Sequence, residues 1–476
     1  MTIKKQVFNP YLPSYEYIPD AEPYVFGDRV YIYGSHDLFN APTFCMGDYV
    51  CYSADVNDLS SFRFEGVIYK REQDPSAVGS RLLNGLAAPD VQVGPDGRYY
   101  LYYFMGGTGK ISVAVCDEPA GSYEFYGDVH YADGVPIGKK GEPFQFDPAI
   151  FMDDDGRLYL YTGFALTDNP LLLRGQKPTL KGPMCFELDP SDMCTVVKGP
   201  VYLGAGPDDH LFLEASSLRK YDGKYYFIYS SKQSHELCYA VSDKPDRDFT
   251  FGGILVSNGD IGLPGITDVR HARNDTGNTH GSILKLKDRY FIFYHRQTNR
   301  KQSSRQACAE EIRFENGRFI QAEMTSCGMN GEPLMGEGYY STYICCNLYG
   351  KSGTRFLSML KRPRGNVPYL TQDGRDRESG SPQYIANFCD GSVAGFKYFN
   401  TVNTKRVSVR MKGHGKGQVF IKTSEEGEPV AKIEICSCRE ERDFMTDISG
   451  LSSHEALYFT YKGTGRFRFT GFTLYE

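Results

Sequence analysis

One short pattern returns five times along this 476-residue chain. Each copy is an acidic turn, often Asp-Gly, then Lys or Arg, then a run of Tyr, Phe, Ile and Leu. The copies read GDRVYIYGS from Gly27, DGRYYLYY from Asp96, DGRLYLYTG from Asp155, DGKYYFIYSS from Asp222 and KDRYFIFYHR from Lys287. Between Asp28, Asp96, Asp155, Asp222 and Asp288 the intervals are 68, 59, 67 and 66 residues. Aspartate and glycine supply a tight hairpin turn, and the aromatic and β-branched residues beyond it favour a strand. So even a spacing predicts a radially repeated β-fold in which each unit is a hairpin followed by further strands. Five such units close into a five-bladed β-propeller.

The repeat stops near Met329. Past Gly331-Glu332-Pro333, the segments QVFIKTS, AKIEIC, ALYFTYKG and RFRFTGFTLYE alternate apolar and polar residues with period two. The chain is therefore expected to be all-β in two regions, a propeller over residues 1–332 and a β-sandwich over 340–476. No low-complexity linker parts them, which predicts that they pack together. The 36 Tyr, 31 Phe and 51 Gly suit this reading; Trp is 0, so stacking against a ligand falls to Tyr and Phe.

Charge and hydropathy exclude several functions. The formal net charge is -6 with no long runs of one sign, which argues against a nucleic-acid partner. No apolar stretch approaches the ~20 residues that span a bilayer. The start, MTIKKQVFNPYLP, has a basic pair and no apolar stretch after it, which predicts no secretory signal and a cytoplasmic location. The 13 cysteines are scattered and form no paired C-x-x-C motifs, so free, mostly buried thiols are expected rather than a zinc site or disulfides.

Counting back eight residues from each turn marker gives Asp20, Ala88, Asp147, Glu214 and His280. In a propeller this register marks one position near the start of the strand beside the axis. Three carboxylates and one histidine should thus converge on a central site. Like charges held close in a partly dry pocket raise a pKa, so one carboxyl should keep its proton while another loses it. One acid and one base in one pocket is the equipment for hydrolysing a glycosidic bond. Glu22 lies two residues from Asp20, and the register favours Asp20. His36, in Ser-His-Asp, is a further candidate substrate contact. The loops Gly106-Gly107-Thr108-Gly109 and Gly204-Ala205-Gly206 lack the Lys-Ser/Thr ending of a phosphate loop and are expected to be hairpin loops.

These motifs resemble glycoside hydrolase family 43, the five-bladed β-xylosidases and α-L-arabinofuranosidases, over roughly residues 7–330. Pro19-Asp20-Ala21-Glu22-Pro23 is similar to the family's first-blade motif, which implies Asp20 as general base. Phe146-Asp147-Pro148-Ala149 implies Asp147 as the carboxylate that modulates and positions the acid. Leu213-Glu214-Ala215-Ser216 implies Glu214 as general acid. Ala88-Pro89-Asp90-Val91 resembles the second-blade motif and implies Asp90 as a substrate contact; Arg305, in Ser-Ser-Arg-Gln-Ala, resembles a last-blade arginine near the substrate. Thr279-His280-Gly281-Ser282 matches the fifth-blade histidine, which in the family often faces calcium or water, so the resemblance places a structural Ca2+ near His280. No cofactor is implied for the chemistry. The tail, from Asp390-Gly391-Ser392 to GTGRFRFTGFTLYE, resembles family 6-type carbohydrate-binding modules, which are β-jelly-rolls. The implied activity is an inverting exo-glycosidase that releases arabinofuranose or xylose from plant-derived oligosaccharides such as xylan fragments. The alternatives are a non-catalytic sugar-binding propeller and a related propeller enzyme acting on galactosides or fructosides. The intact carboxylate triple argues against the first.

Overall fold

The computed structural model describes residues 5–165, 173, 175–358, 365, 367–377 and 381–476; the first four residues, which include part of the basic start, lie outside these. Five antiparallel sheets form a five-bladed β-propeller. The first is Glu22–Phe26, Arg29–Tyr33, Tyr49–Asp55 and Asp58–Tyr69; the second is Leu86–Val93, Tyr99–Met105, Ile111–Cys116 and Glu124–Asp128. The third is Ala149–Met152, Leu158–Thr162, Met184–Leu188 and Val196–Tyr202; the fourth is Phe212–Tyr221, Lys224–Ser231, Leu237–Ser242 and Thr250–Val256. The fifth has three strands, Ile283–Leu286, Arg289–Thr298 and Lys301–Ile312.

Each repeated motif is the turn and second strand of a blade. In the fourth blade Tyr221 pairs with Lys224. The turn between them, Asp222-Gly223, has φ 50° and 76°, the left-handed pair of a two-residue hairpin that Asp-Gly adopts at least cost. The second strands are continuous apolar runs because every blade is covered on both faces. In the third, Leu158 and Leu160 pack towards the second blade, whereas Tyr159 and Tyr161 pack towards the fourth. In the fifth, Ile292 and Tyr294 face the fourth blade, and Phe291 and Phe293 face the first. Side chains that alternate with period two thus build five apolar clusters, one in each gap of the ring.

Close to the axis the blades are joined by hydrogen bonds. Ile150 N–H donates to Asp90 Oδ2 at 2.8 Å, Ala215 N–H to Asp147 Oδ2 at 3.0 Å and Arg219 Nε to the Ile283 carbonyl at 3.1 Å. The Tyr24 hydroxyl donates to Asp90 Oδ1 at 2.5 Å, and a β-bridge pairs Ala21 with Gly281. The N-terminal segment closes the ring against the fifth blade. Asn9 Nδ2 donates to Glu310 Oε1 at 2.6 Å, and Asn9 Oδ1 accepts from Ala309 N–H at 3.1 Å.

The C-terminal strands make one nine-stranded sheet rather than two separate sheets of a jelly-roll. Its frame is three long strands, Arg406–Lys422, Ala431–Asp447 and Glu455–Tyr475. Glu455–Tyr475 pairs with Arg406–Lys422 along most of its length and also with Gln383–Cys389 and Val393–Asn400. The sheet curls around an apolar core of Phe388, Phe396, Phe459, Phe469 and Phe472. It packs on the propeller: buried Arg296 donates through Nη1 to the Cys345 carbonyl at 2.6 Å, and Asn299 N–H donates to the Leu370 carbonyl at 2.7 Å. None of the 13 cysteines is in a disulfide, and nine of them are buried.

Asn9 holds the closure through two buried partners. Asn9→Ala leaves the Ala309 N–H unpaired and takes one donor from Glu310 Oε1, which still accepts from Tyr294 and Thr325, so it should lower stability by about 1–3 kcal/mol. The check is the midpoint of urea unfolding, with the slope of the transition unchanged.

Candidate active site

A cavity of about 360 Å³ opens at the end of the axis where the first strands begin. Asp20, Asp147, Glu214 and His280 all line it, so four blades bring their register residues together. Its rim comes mainly from the connections between second and third strands, Phe44 and Cys45 from the first blade and Gly106, Phe164 and His235 from the next three, with Gln302 from the start of the third strand of the fifth blade. Leu82 and Leu83 stand exposed at the mouth, and Phe104, Phe146 and Phe164 pack against one another on one wall. The first strands start in unusual backbone. Asp20, Ala88, Asp147 and Ala215 have φ of 60°, 43°, 47° and 67°. Left-handed residues of this kind cost free energy and gather at functional sites.

Asp20 is buried against a fixed cation. Arg305 Nη1 lies 2.8 and 3.1 Å from its two oxygens. The same guanidinium grips buried Asp37, with Nε to Oδ2 at 2.8 Å and Nη2 to Oδ1 at 3.0 Å. Burial pushes the Asp20 carboxyl up, but Arg305, then His280 and His295, with a hydrogen bond from Ser35, more than offset this and hold it below the ordinary aspartate value. His295 Nε2 meets the Asn278 carbonyl at 2.7 Å, which places the proton on Nε2 and leaves Nδ1 to accept from Asp20 N–H at 3.5 Å. Burial and the neighbouring Arg305 push His295 down to about 3, so the ring is neutral.

The acid side is set differently. Glu214, the most exposed of the three carboxyls, has no cation of its own. Desolvation and the nearby Asp147 and Asp20 charges push it up to about 8, against the pull of His280 and Arg305. Asp147 Oδ2 lies 3.5 Å from His280 Nδ1 and accepts from Ala215 N–H, the residue next to Glu214. Burial raises Asp147, and the His280 hydrogen bond and charge oppose the rise. Burial lowers His280, but Asp147 outweighs it and takes the imidazole up to about 9. The cavity therefore holds a protonated carboxylic acid, an ionised carboxylate and an imidazolium near neutral pH.

Two expected substrate contacts, Asp90 and His36, are absent from the cavity wall. Asp90 and Glu22 sit two residues beyond Ala88 and Asp20 on the first strands, about 7 Å further along the axis at the usual strand rise. There Arg219 Nη2 lies 2.5 Å from Glu22 Oε2, and its guanidinium rests 4.6 Å over the Tyr24 ring. This buried layer closes the floor. Burial and Glu22 push Asp90 up to about 7. Asp90 binds Tyr24 and Ile150 rather than facing the cavity. His36 is turned away, its Nδ1 on the Asp48 carbonyl at 2.8 Å. Arg305 does line the cavity, with its guanidinium committed to Asp20 and Asp37. Near His280, where a Ca2+ is expected, His280 Nδ1 faces Asp147 Oδ2 at 3.5 Å, and among the described residues no group of three or more His, Cys, Asp or Glu could hold a metal ion.

The sequence reading missed Asp37, His295 and His235. Asp37 is the acid of the Ser-His-Asp motif that contains His36, so the motif itself is its signal. His295 lies in the second strand of the fifth blade, and nothing in its spacing marks it.

Residues 18–319 match the sequence profile described as glycosyl hydrolases family 43. A xylosidase/arabinosidase of Thermoclostridium stercorarium is 47% identical over 483 residues, covering 99% of both chains. A solved β-xylosidase aligns at 25% identity and TM-score 0.52, over 67% of this chain and 99% of its own. An arabinoxylan arabinofuranohydrolase from Bacillus subtilis shares the fold over 98% of this chain and 97% of its own, at 18% identity and TM-score 0.51.

The charge states can be read directly by nitrogen-15 NMR of labelled histidine. At pH 7.5 His280 should be an imidazolium and His295 a neutral ring protonated on Nε2. Asp147→Asn removes the group that holds the His280 proton, so His280 should titrate at lower pH. A neutral His280 in the unaltered protein would contradict this charge distribution.

Proposed function

The chain belongs to glycosyl hydrolases family 43, and from that premise we propose that it is an exo-acting, inverting glycosidase that removes terminal xylose or arabinofuranose from oligosaccharides. In this reading residues 1–332 carry the chemistry and residues 340–476 buttress the pocket. The observation that carries it is the contrast within one cavity between Glu214, raised to about 8, and Asp20, held below the aspartate value. At neutral pH the first can give a proton and the second can take one.

The terminal sugar sits over the closed floor, and its glycosidic oxygen lies by Glu214. Asp20 accepts a proton from a water as the water oxygen bonds to the anomeric carbon. The bond to the leaving oxygen breaks as Glu214 donates its proton to it. Positive charge that develops on the ring is met by the negative pocket. Asp147 keeps Glu214 protonated through its charge. Arg305 holds Asp20 ionised, and Asp37 holds Arg305 in place. The phenylalanine wall offers apolar faces for the sugar ring.

Role separation follows from leaving-group chemistry. Glu214→Ala should lose orders of magnitude on a disaccharide and much less on an aryl glycoside with an acidic phenol, whose oxygen departs unaided. Asp20→Ala should be severely impaired on both, because nothing in the leaving group replaces activation of water. Equal losses for Glu214→Ala on both substrates, with activity kept in Asp20→Ala, would reverse the labels. Proton NMR of the first-formed sugar should show the inverted anomer.

The pH profile has a sign. Glu214 must be protonated, so kcat/KM should fall as pH rises through about 8. Arg305 lowers the Asp20 value, so Arg305→Met should lift the acidic limb towards neutral pH. An unmoved acidic limb would remove Asp20 from the role of base.

A further inference from the structure

His235 has no place in the chemistry just described, yet it is built into the pocket. It lies in the connection between Lys224–Ser231 and Leu237–Ser242 of the fourth blade and lines the cavity. It is 9% exposed, and its Nδ1 is buried without a hydrogen-bond partner. Its backbone has φ 55°, a left-handed conformation that a non-glycine residue adopts at a cost. An unpaired buried ring nitrogen is a second cost. Strained backbone at a residue that lines a binding cavity marks a group placed to meet the ligand.

The ring is held from outside the propeller. Phe356 lies 5.1 Å from it, centroid to centroid, at 51°. Phe356 is fixed in turn by a parallel bridge to Thr276: Thr276 N–H donates to the Arg355 carbonyl at 2.9 Å, and Leu357 N–H to the Thr276 carbonyl at 2.7 Å. Burial pushes the imidazole down to about 4, so it is neutral at working pH. A neutral imidazole has one donor and one acceptor, which suits a hydroxyl group and gives no advantage to a carboxylate.

We propose that His235 is a substrate-binding residue whose imidazole hydrogen-bonds one hydroxyl of the bound sugar, with Phe356 of the C-terminal region setting the position of that ring. The assignment rests on the glycosidase reading and adds a specificity determinant on the fourth-blade wall. It also makes the C-terminal region a contributor to recognition at the active site.

The experiment compares monodeoxy analogues of one aryl glycoside. The unaltered protein should lose roughly three- to tenfold in kcat/KM on one of them, the worth of a single neutral hydrogen bond. His235→Phe should lose that factor on the parent substrate and nothing further on that analogue. His235→Asn, which tolerates the left-handed backbone better, serves as the second variant, and Phe356→Ala should raise KM with kcat held. Unaltered protein titrated with the free monosaccharide should show the His235 ring signals shifting. Full discrimination at every hydroxyl in both His235 variants would overturn the proposal. So would unmoved His235 signals at saturation. Absence of turnover by the unaltered protein on any xyloside or arabinofuranoside would overturn the glycosidase reading and this proposal together.

Discussion

Six carboxyls gather along the propeller axis around three cations. Asp20, Glu22, Asp37, Asp90, Asp147 and Glu214 share Arg219, Arg305 and His280. In a dry interior that shortage cannot be met by ionising every acid. Arg305 is taken by Asp20 and Asp37, His280 by Asp147 and Arg219 by Glu22. Glu214 and Asp90 are left without an ion pair of their own and rise to about 8 and about 7. The proton on Glu214 is thus a property of how the whole axis distributes its charge. Geometry enforces this, because the first strands are tied to one another by Ile150, Ala215 and Arg219 and cannot spread apart.

Much of this was legible in the chain because the fold repeats. A hairpin motif that returns five times sets a register, and a register converts distant residues such as Asp20 and Glu214 into neighbours without any contact being known. The same logic shows where legibility ends. Strand geometry puts Asp90 one layer below Ala88, so a motif that marks the right strand marks the wrong depth. Asp37, His235 and Phe44 sit on connections between second and third strands, which differ in length from blade to blade and carry no register. In the C-terminal region the period-two alternation was readable. That QVFIKTS, AKIEIC and ALYFTYKG belong to strands of 17, 17 and 21 residues curling as one sheet was not.

The two regions meet through buried polar contacts as well as packing. Arg296 ends on the Cys345 carbonyl, and Lys397 lies buried 2.7 Å from Glu323. Phe356 reaches the rim of the cavity through its contact with His235. A surface joined in this way is specified residue by residue, unlike the slippery apolar faces between blades.

The layer of Glu22, Tyr24, Asp90 and Arg219 blocks the far end of the central channel. That gives the pocket a single doorway, and a single doorway imposes an order of traffic. A sugar chain can enter only by its tip and cannot thread through. In the exo-acting reaction proposed above, the severed remainder would stand between the freed monosaccharide and the exit, so it would have to back out first. Every cycle then begins with a fresh encounter, and a long chain is shortened by one unit per visit rather than in a run.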